Sequence, residues 1–331
     1  MNVSSGMAVR IAAGSLWNMW KKRPLSVSFE VTHTCTADCR HCNWGGAATE
    51  TLLPPDGYAA IARELKPVVV NVSGGEPLTR RDVVEIVGRI ARPGNLPWVV
   101  VVTNGSRLTP DLFLRLRRAG MHQLSVSIDF PDNRHDEFRG IPGLFDRLNR
   151  LIPECARIGG RGGVNLNCCI TAWNYRELPD IVRLADRWGV SVNFSAYSPL
   201  RTDDPEGLVK HNGSKEELRG VIQEVIDLKR SGEPVYNSER VLWRYCDFLC
   251  EGHKAGCKAG VRFLVVNPDG RMTPCAMVMS YFTDQPAMRR EFSSGNACGG
   301  CYISTRANTE KSVGEFVSDH LGIAAFGRSK S

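Results

Sequence analysis

Residues 26–42 read Ser26-Val-Ser-Phe-Glu-Val-Thr-His-Thr-Cys35-Thr-Ala-Asp-Cys39-Arg-His-Cys42. The first half alternates apolar Val27, Phe29 and Val31 with polar neighbours, the period of a strand with one buried face. The second half sets three cysteines in a CxxxCxxC spacing directly after that strand. Thiolates so close in sequence converge on one inorganic group, and soft sulfur selects iron–sulfur or zinc over hard cations. They supply one ligand too few. A [4Fe–4S] cube has four corners and a structural zinc is closed by four ligands, so either a distant residue joins or one metal corner stays open to a small molecule.

Working outward, the next apolar run ends in Ser73-Gly74-Gly75-Glu76-Pro77. CxxxCxxC alone also fits a zinc site, but strand, CxxxCxxC, helix, strand and GGEP in this order resemble the radical S-adenosylmethionine superfamily. The resemblance implies a [4Fe–4S] cluster on Cys35, Cys39 and Cys42 whose fourth iron chelates the amino and carboxylate groups of S-adenosylmethionine. It further implies reductive cleavage to methionine and a 5′-deoxyadenosyl radical that abstracts a substrate hydrogen. Gly74, Gly75 and Glu76 then meet the amino group, and Thr103-Asn104-Gly105 matches the family's turn beneath ribose and cluster. Ser127-Ile-Asp129 followed by His135-Asp-Glu-Phe-Arg139-Gly140 is similar to an element whose Ser and Arg lie near the methionyl carboxylate. An arginine fork suits a carboxylate because two N–H groups match two oxygens. His41, inside the cysteine loop, offers its backbone near adenine, with its ring packing.

From Pro24 to about residue 200 short apolar strands alternate with helical stretches, the signature of βα units on a parallel sheet. Strands are expected near 26–32, 68–73, 97–103, 122–129, 163–170 and 190–197, which agrees with the superfamily's partial (β/α)6 TIM-like barrel. Several strands alternate a polar face (Glu30; Ser125, Ser127, Asp129; Asn165, Asn167, Cys169; Asn193, Ser195, Tyr197) with an apolar one. With the apolar set under the helices, the polar set points into the lumen and builds a wet cavity for a polar ligand. Glu30, Cys169 and Tyr197 are the candidate catalytic residues, Cys169 as a hydrogen-atom donor or as a small buried hydrophobe.

Six more cysteines, Cys246, Cys250, Cys257, Cys275, Cys298 and Cys301, fall in the second half. Asn267-Pro-Asp-Gly270 between apolar runs signals a hairpin that returns Cys275 to Cys257. Cys257 to Cys275 followed by Cys298-Gly-Gly-Cys301 resembles the Twitch domain, the shortened SPASM extension of the superfamily. That implies an auxiliary [4Fe–4S] cluster on Cys257, Cys275, Cys298 and Cys301. Cys246 or Cys250 could replace one of these ligands, and a zinc ribbon is the alternative. The fold class expected is therefore α/β, a partial barrel followed by a small cysteine-rich α+β domain. Its divisions are 1–24 (N-terminal helix and lead-in), 25–200 (barrel), 201–235 (linker and helix) and 236–331 (auxiliary-cluster domain).

The chain has 331 residues, enough for a barrel and a smaller unit, and its net charge of +7 is interspersed, so no nucleic-acid partner is expected. No apolar run approaches the ~20 residues of a membrane span and no secretory signal is visible, so the grouped cysteines read as metal ligands in a cytoplasmic protein. Residues 7–20 read as a helix with Trp17 and Trp20 beside Lys21, Lys22 and Arg23. It is expected to cap the barrel bottom, with peripheral membrane contact as the alternative. A flavodoxin or ferredoxin is the electron donor implied. The first functional reading is a radical enzyme of dehydrogenase type oxidising or rearranging a small polar metabolite. The alternatives are radical modification of a peptide, a lipid substrate, or a non-catalytic iron–sulfur electron-transfer protein. Only about 25 residues precede the first strand, too few for a folded leader-peptide domain.

Overall fold

The computed structural model describes residues 5–92, 94–160, 162–312 and 314–315, so 316–331 of the expected C-terminal division lie outside the described residues. Six strands fall where the alternation puts them: β1 (Ser26–Glu30), β2 (Val69–Ser73), β3 (Trp98–Thr103), β4 (Gln123–Ser127), β5 (Val164–Ile170) and β6 (Ser191–Ala196). Each pairs in parallel with the next, with Val27 opposite Val70 and Asn167 opposite Asn193. The chain is an α/β fold built on a parallel sheet.

Two further strands complete the sheet, β7 (Phe263–Val266) and β8 (Met272–Thr273), in the order β6-β5-β4-β3-β2-β1-β7-β8. β7 pairs in parallel with β1, setting Ser26 opposite Phe263 and Phe29 opposite Val266, and β8 pairs antiparallel with β7. The hairpin bearing Cys275 therefore covers the otherwise open edge of β1, where unpaired N–H and C=O groups would be exposed. Its turn is the one Asn267-Pro-Asp-Gly270 signals: Asn267 N–H donates to Arg271 O at 2.8 Å and Gly270 takes φ +89.

Val27, Phe29, Val126, Leu166 and Phe194 are wholly buried under the helices. Each such side chain contributes about 1.5–3 kcal/mol relative to exposure. On the other face the polar side chains bond across strands: Asn71 Nδ2 to Ser26 Oγ (3.1 Å), Ser191 Oγ to Asn165 Oδ1 (2.9 Å), Asn193 Nδ2 to Asn167 Oδ1 (3.0 Å) and Asn237 Nδ2 to Asn193 Oδ1 (3.1 Å).

The helix Ser5–Lys21 seats Met7 and Ile11 against Leu25 and Val68, and Asn18 Nδ2 donates to Pro24 O and Lys66 O, which closes the start of β1 and β2. Its other side leaves Trp17 53% and Trp20 67% exposed, with Lys21 Nζ 3.9 Å from the Trp20 ring. Among the described residues no helix is long and apolar enough to cross a membrane. The segment after β6, read as a linker, packs down instead: Leu208 and Val209 are buried and Gly207 O accepts from Ala172 N–H.

Candidate functional site

The cysteine loop leaves the C-terminal end of β1, the end of parallel strands where ligands collect. Cys35 N–H donates to Gly46 O (2.8 Å), and the loop's middle is clamped to the end of the helix Arg134–Arg139 by Asp38 N–H to Arg139 O (3.0 Å) and Arg40 N–H to Phe138 O (3.1 Å). Gly140, at φ +64, lets that helix end come against Asp38. Each of the three sulfurs then faces a side-chain donor from a different element. Asn104 Nδ2 lies 3.9 Å from Cys35 Sγ, an Arg139 guanidinium nitrogen 3.6 Å from Cys39 Sγ, and one of Arg201 3.7 Å from Cys42 Sγ. Burial pushes the Cys39 thiol up to about 11, against the pull of Arg139.

Gly74 and Gly75 make the next turn possible. A Cβ on either would land on the carbonyl oxygens of Thr32 to Thr34, the start of the cysteine loop, and Gly74 sits at φ +139. Glu76 is wholly buried, with its carboxylate accepting from Thr103 Oγ1 (2.7 Å), Asn104 N–H (2.7 Å) and Leu78 N–H (3.0 Å). Burial raises its pKa against those three donors. The side chain thus ties the second βα turn to the third, and among the described residues no hydrogen bond ends on the carbonyls of Gly74 or Gly75.

Asp129 and Arg139 form a buried pair, with Arg139 Nε 2.7 Å from Asp129 Oδ2, while Asp129 Oδ1 accepts from Cys169 N–H at 3.1 Å. Burial works against the Asp129 charge, yet Arg139 beside it holds the carboxyl below the usual range. The sequence reading aims the Arg139 fork at a methionyl carboxylate; in the structure Asp129 and Cys39 engage it. Ser127, 9% exposed, lies two positions before Asp129 at the end of β4.

Of the catalytic candidates, Glu30 stands at the end of β1 with Oε2 3.1 Å from His33 Nε2 and Oε1 3.6 Å from Arg201. Cys169 lies within electrostatic reach of Cys39 and Cys42, and burial raises its pKa so that it remains a thiol. Tyr197 stands one residue past the end of β6, its N–H still donating to Ile170 O (3.0 Å) and its hydroxyl tied to Thr202 Oγ1 and to Asp204 O (2.8 Å) of the following loop.

Arg201 escaped the sequence reading. It stands in what reads as a polar linker, with no flanking motif, yet one guanidinium nitrogen donates to Ala276 O at 2.7 Å, beside Cys275, and another faces Cys42. The C-terminal cysteines Cys257, Cys275 and Cys301 are buried and Cys298 is half-buried; Cys257 and Cys298 lie close enough to Cys275 to raise its pKa, as Cys257 and Cys275 do for Cys301. Burial is the larger cause, taking Cys275 up to about 11 and Cys301 to about 12. Met277 N–H donates to Cys275 Sγ at 3.4 Å. Cys246 and Cys250 stand apart as a hydrogen-bonded pair on the helix Glu239–Glu251, facing Arg219 and Lys215.

Grouped thiolates of this kind are the donor chemistry of iron–sulfur sites, where a cubane takes each sulfur at a separate iron. Buried polar atoms without partners stand beside the three-cysteine loop: His41 Nδ1, Trp44 Nε1 and Trp173 Nε1. Such groups are normally satisfied, so a bound polar molecule is what this end of the barrel accommodates. The His41 ring stacks on Phe138 at 5.0 Å, and burial lowers its pKa to about 4.

The profile of the Radical SAM superfamily matches residues 29–185. The chain is 42% identical over 274 residues to the AdoMet-dependent heme synthase of Methanosarcina barkeri, covering 76% of each. It is 27% identical to the AdoMet-dependent heme synthase of Nitratidesulfovibrio vulgaris over 75% of this chain and 72% of the relative. Among solved structures, Streptococcus suis SuiB bound to S-adenosylmethionine superposes with a TM-score of 0.61 at 15% identity, over 79% of this chain and 63% of SuiB. Superfamily members use a [4Fe–4S] cluster and S-adenosylmethionine, and the three-cysteine loop, the GGEP turn and the parallel barrel all stand here in that order. The chain belongs to the radical S-adenosylmethionine superfamily.

Proposed function

We propose that this protein oxidises a tetrapyrrole held at the mouth of the barrel by radical hydrogen abstraction. The chemistry rests on one observation: Asn104, Arg139 and Arg201 each present a donor to a different sulfur of Cys35, Cys39 and Cys42. Positive donors favour thiolates over thiols and set a cluster's potential. When bound, the cluster and S-adenosylmethionine supply a carbon-centred radical that takes a hydrogen atom. Cys35, Cys39 and Cys42 hold iron, the free carbonyls of Gly74 and Gly75 receive the amino group of S-adenosylmethionine, and Asn104 and Ser127 line its side. Arg139, balanced by Asp129, positions Cys39. Cys257, Cys275, Cys298 and Cys301 would hold an auxiliary cluster, which would supply an acceptor for one electron from the substrate.

The choice of tetrapyrrole is supported by the 42% identity to a protein named heme synthase along three quarters of both chains. A second support is where uncommitted groups stand. The lumen amides Asn165, Asn167, Asn193 and Asn237 bond to one another or their neighbours, so a small polar ligand would have to displace existing hydrogen bonds. At the mouth, Trp44 is stacked at 4.0 Å on His33 and Trp173 lies 4.0 Å beneath the exposed Arg40 guanidinium. Flat aromatic faces beside cations suit a flat macrocycle that carries carboxylates.

The test titrates iron porphyrins bearing propionates into anaerobically reconstituted protein with S-adenosylmethionine and dithionite. A Soret shift with porphyrin-dependent 5′-deoxyadenosine is the expected result. Equal deoxyadenosine with and without porphyrin, and no Soret change, would reject the tetrapyrrole and return a small polar metabolite or a peptide to first place.

A further inference from the structure

A cleft of about 880 Å³ opens between the end of the helix Ser5–Lys21 and the segment around the helix Gln285–Glu291, and Cys257 forms part of its wall. Its charged lining is wholly cationic: Lys22, Lys258, Arg262, Arg289 and Arg290. Lys22, Lys258 and Arg290 are exposed, and none of the five makes an ion pair among the described residues. Arg262 is anchored by donating to Thr309 O (2.9 Å) and Lys311 O (3.1 Å), which keeps its charge while fixing its place. Of the carboxylates on the flanking segments, Glu291 is exposed at the end of the Gln285–Glu291 helix and lies outside the lining, and the other two are committed elsewhere. Asp284 caps the Gln285–Glu291 helix through Ala287 N–H (2.7 Å), and Glu310 pairs with Arg306 at 3.0 Å. Nothing in the radical site calls for this concentration of charge, since Arg139 and Arg201 already serve the three-cysteine loop.

We infer that this cleft is the docking surface for an acidic one-electron carrier protein, of flavodoxin or ferredoxin class, which exchanges electrons with the cluster at Cys257. The inference rests on the auxiliary site assigned above. Unpaired like charges on a concave surface steer an oppositely charged partner and raise its association rate, steeply so at low salt. Placing the carrier here brings its redox centre against a wall that contains a cluster ligand, and electron transfer weakens rapidly with distance. The exchange moves one electron and no atom or proton: the reduced carrier is oxidised by one electron as the auxiliary cluster is reduced by one. The reverse direction uses the same contact. A small anion or an anionic lipid surface would find the same cations, but neither explains why the cationic wall includes Cys257.

The experiment measures binding of reduced flavodoxin to the reconstituted full chain by calorimetry across a salt series, with R289E/R290E as the variant. The wild type is expected to bind with an affinity that falls steeply with salt. The variant should lose at least roughly tenfold at low salt and flatten that dependence, and flavodoxin-driven reduction of the auxiliary EPR signal should slow by a similar factor. Dithionite needs no docking, so dithionite-driven deoxyadenosine formation stays unchanged in the variant. Equal flavodoxin affinity in both proteins overturns the inference. So does variant-sensitive binding of inorganic phosphate or of phosphatidylserine vesicles with no effect on the carrier. Absence of deoxyadenosine with dithionite in the wild type would instead reject the functional reading, leaving the binding result to stand by itself.

Discussion

Arg201 shows how a single side chain joins two sites the sequence keeps more than two hundred residues apart. Its guanidinium reaches Cys42 Sγ at 3.7 Å, Glu30 at 3.6 Å and Ala276 O at 2.7 Å, and lies 5.5 Å from the Trp44 ring. A planar fork serves several partners in fixed directions, which a lysine ammonium does not. Arg201→Gln, lacking the charge near a thiolate ligand, is expected to lower the midpoint potential of the S-adenosylmethionine-binding cluster by tens of millivolts in an EPR-monitored titration. Arg201→Lys should recover only part of that shift; an unchanged potential in both would reduce Arg201 to a packing residue. His135 provides the pH dependence. Its Nδ1 accepts from Asp129 N–H at 3.2 Å, and burial, with Arg139 adding to it, lowers its pKa to about 3. The unfolded chain takes up a proton near its ordinary pKa of about 6.5, while the folded chain does not. Stability is therefore fully present above that value and declines as pH falls towards 3, by up to about 1.4 kcal/mol per pH unit from this group. Urea midpoints from pH 7 to 5 should fall, less steeply in His135→Gln; His41 contributes in the same direction.

At the scale of elements, the turn after β2 was legible as a motif, but its reason for being glycine is a contact with another turn. Gly74 packs its Cα on the Thr32 carbonyl and holds φ +139, a conformation an alanine reaches only with strain. Gly74→Ala is expected to cost roughly 1–3 kcal/mol by urea denaturation and to lower iron content, because the displaced backbone is the lead-in to Cys35. Glu76 tells the opposite story. The motif assigns it to a ligand, and its carboxylate accepts from the neighbouring turn at Thr103 and Asn104. Strand periodicity placed six strands closely, since a sheet covered by helices on one side repeats strictly every two residues. Periodicity does not say what a hydroxyl bonds to: Tyr197, one residue past the end of β6, gives its own to the following loop.

For the molecule as a whole, the two cysteine groups come from different elements, one from the loop after β1 and the other from the segments around the β7–β8 hairpin that extends the sheet beyond β1. Each group should therefore assemble independently. Replacing Cys35, Cys39 and Cys42 together by Ala is expected to leave about four irons of an initial eight or so, with a reduced EPR signal indifferent to S-adenosylmethionine. Zinc, or no metal, at the remaining site would remove the electron acceptor and favour redox-neutral chemistry. The exposed Trp17 and Trp20 stripe lies on the opposite side of its helix from Met7 and Ile11, which bind the barrel, so packing alone does not account for it.

The sequence by itself determined the superfamily and the parallel strands, because short-range spacing and period-two alternation are written directly in neighbouring residues. Only the tertiary structure decided what each charged group faces. The pairing of Arg139 with Asp129, the bonds of Glu76 to Thr103 and Asn104, the separation of Cys246 and Cys250 from the C-terminal four, and the reach of Arg201 from Cys42 to Ala276 all join segments far apart in the chain. Their geometry follows from how the turns at one end of the sheet are brought together, and buried polar groups there take whichever partners that assembly places within hydrogen-bond distance.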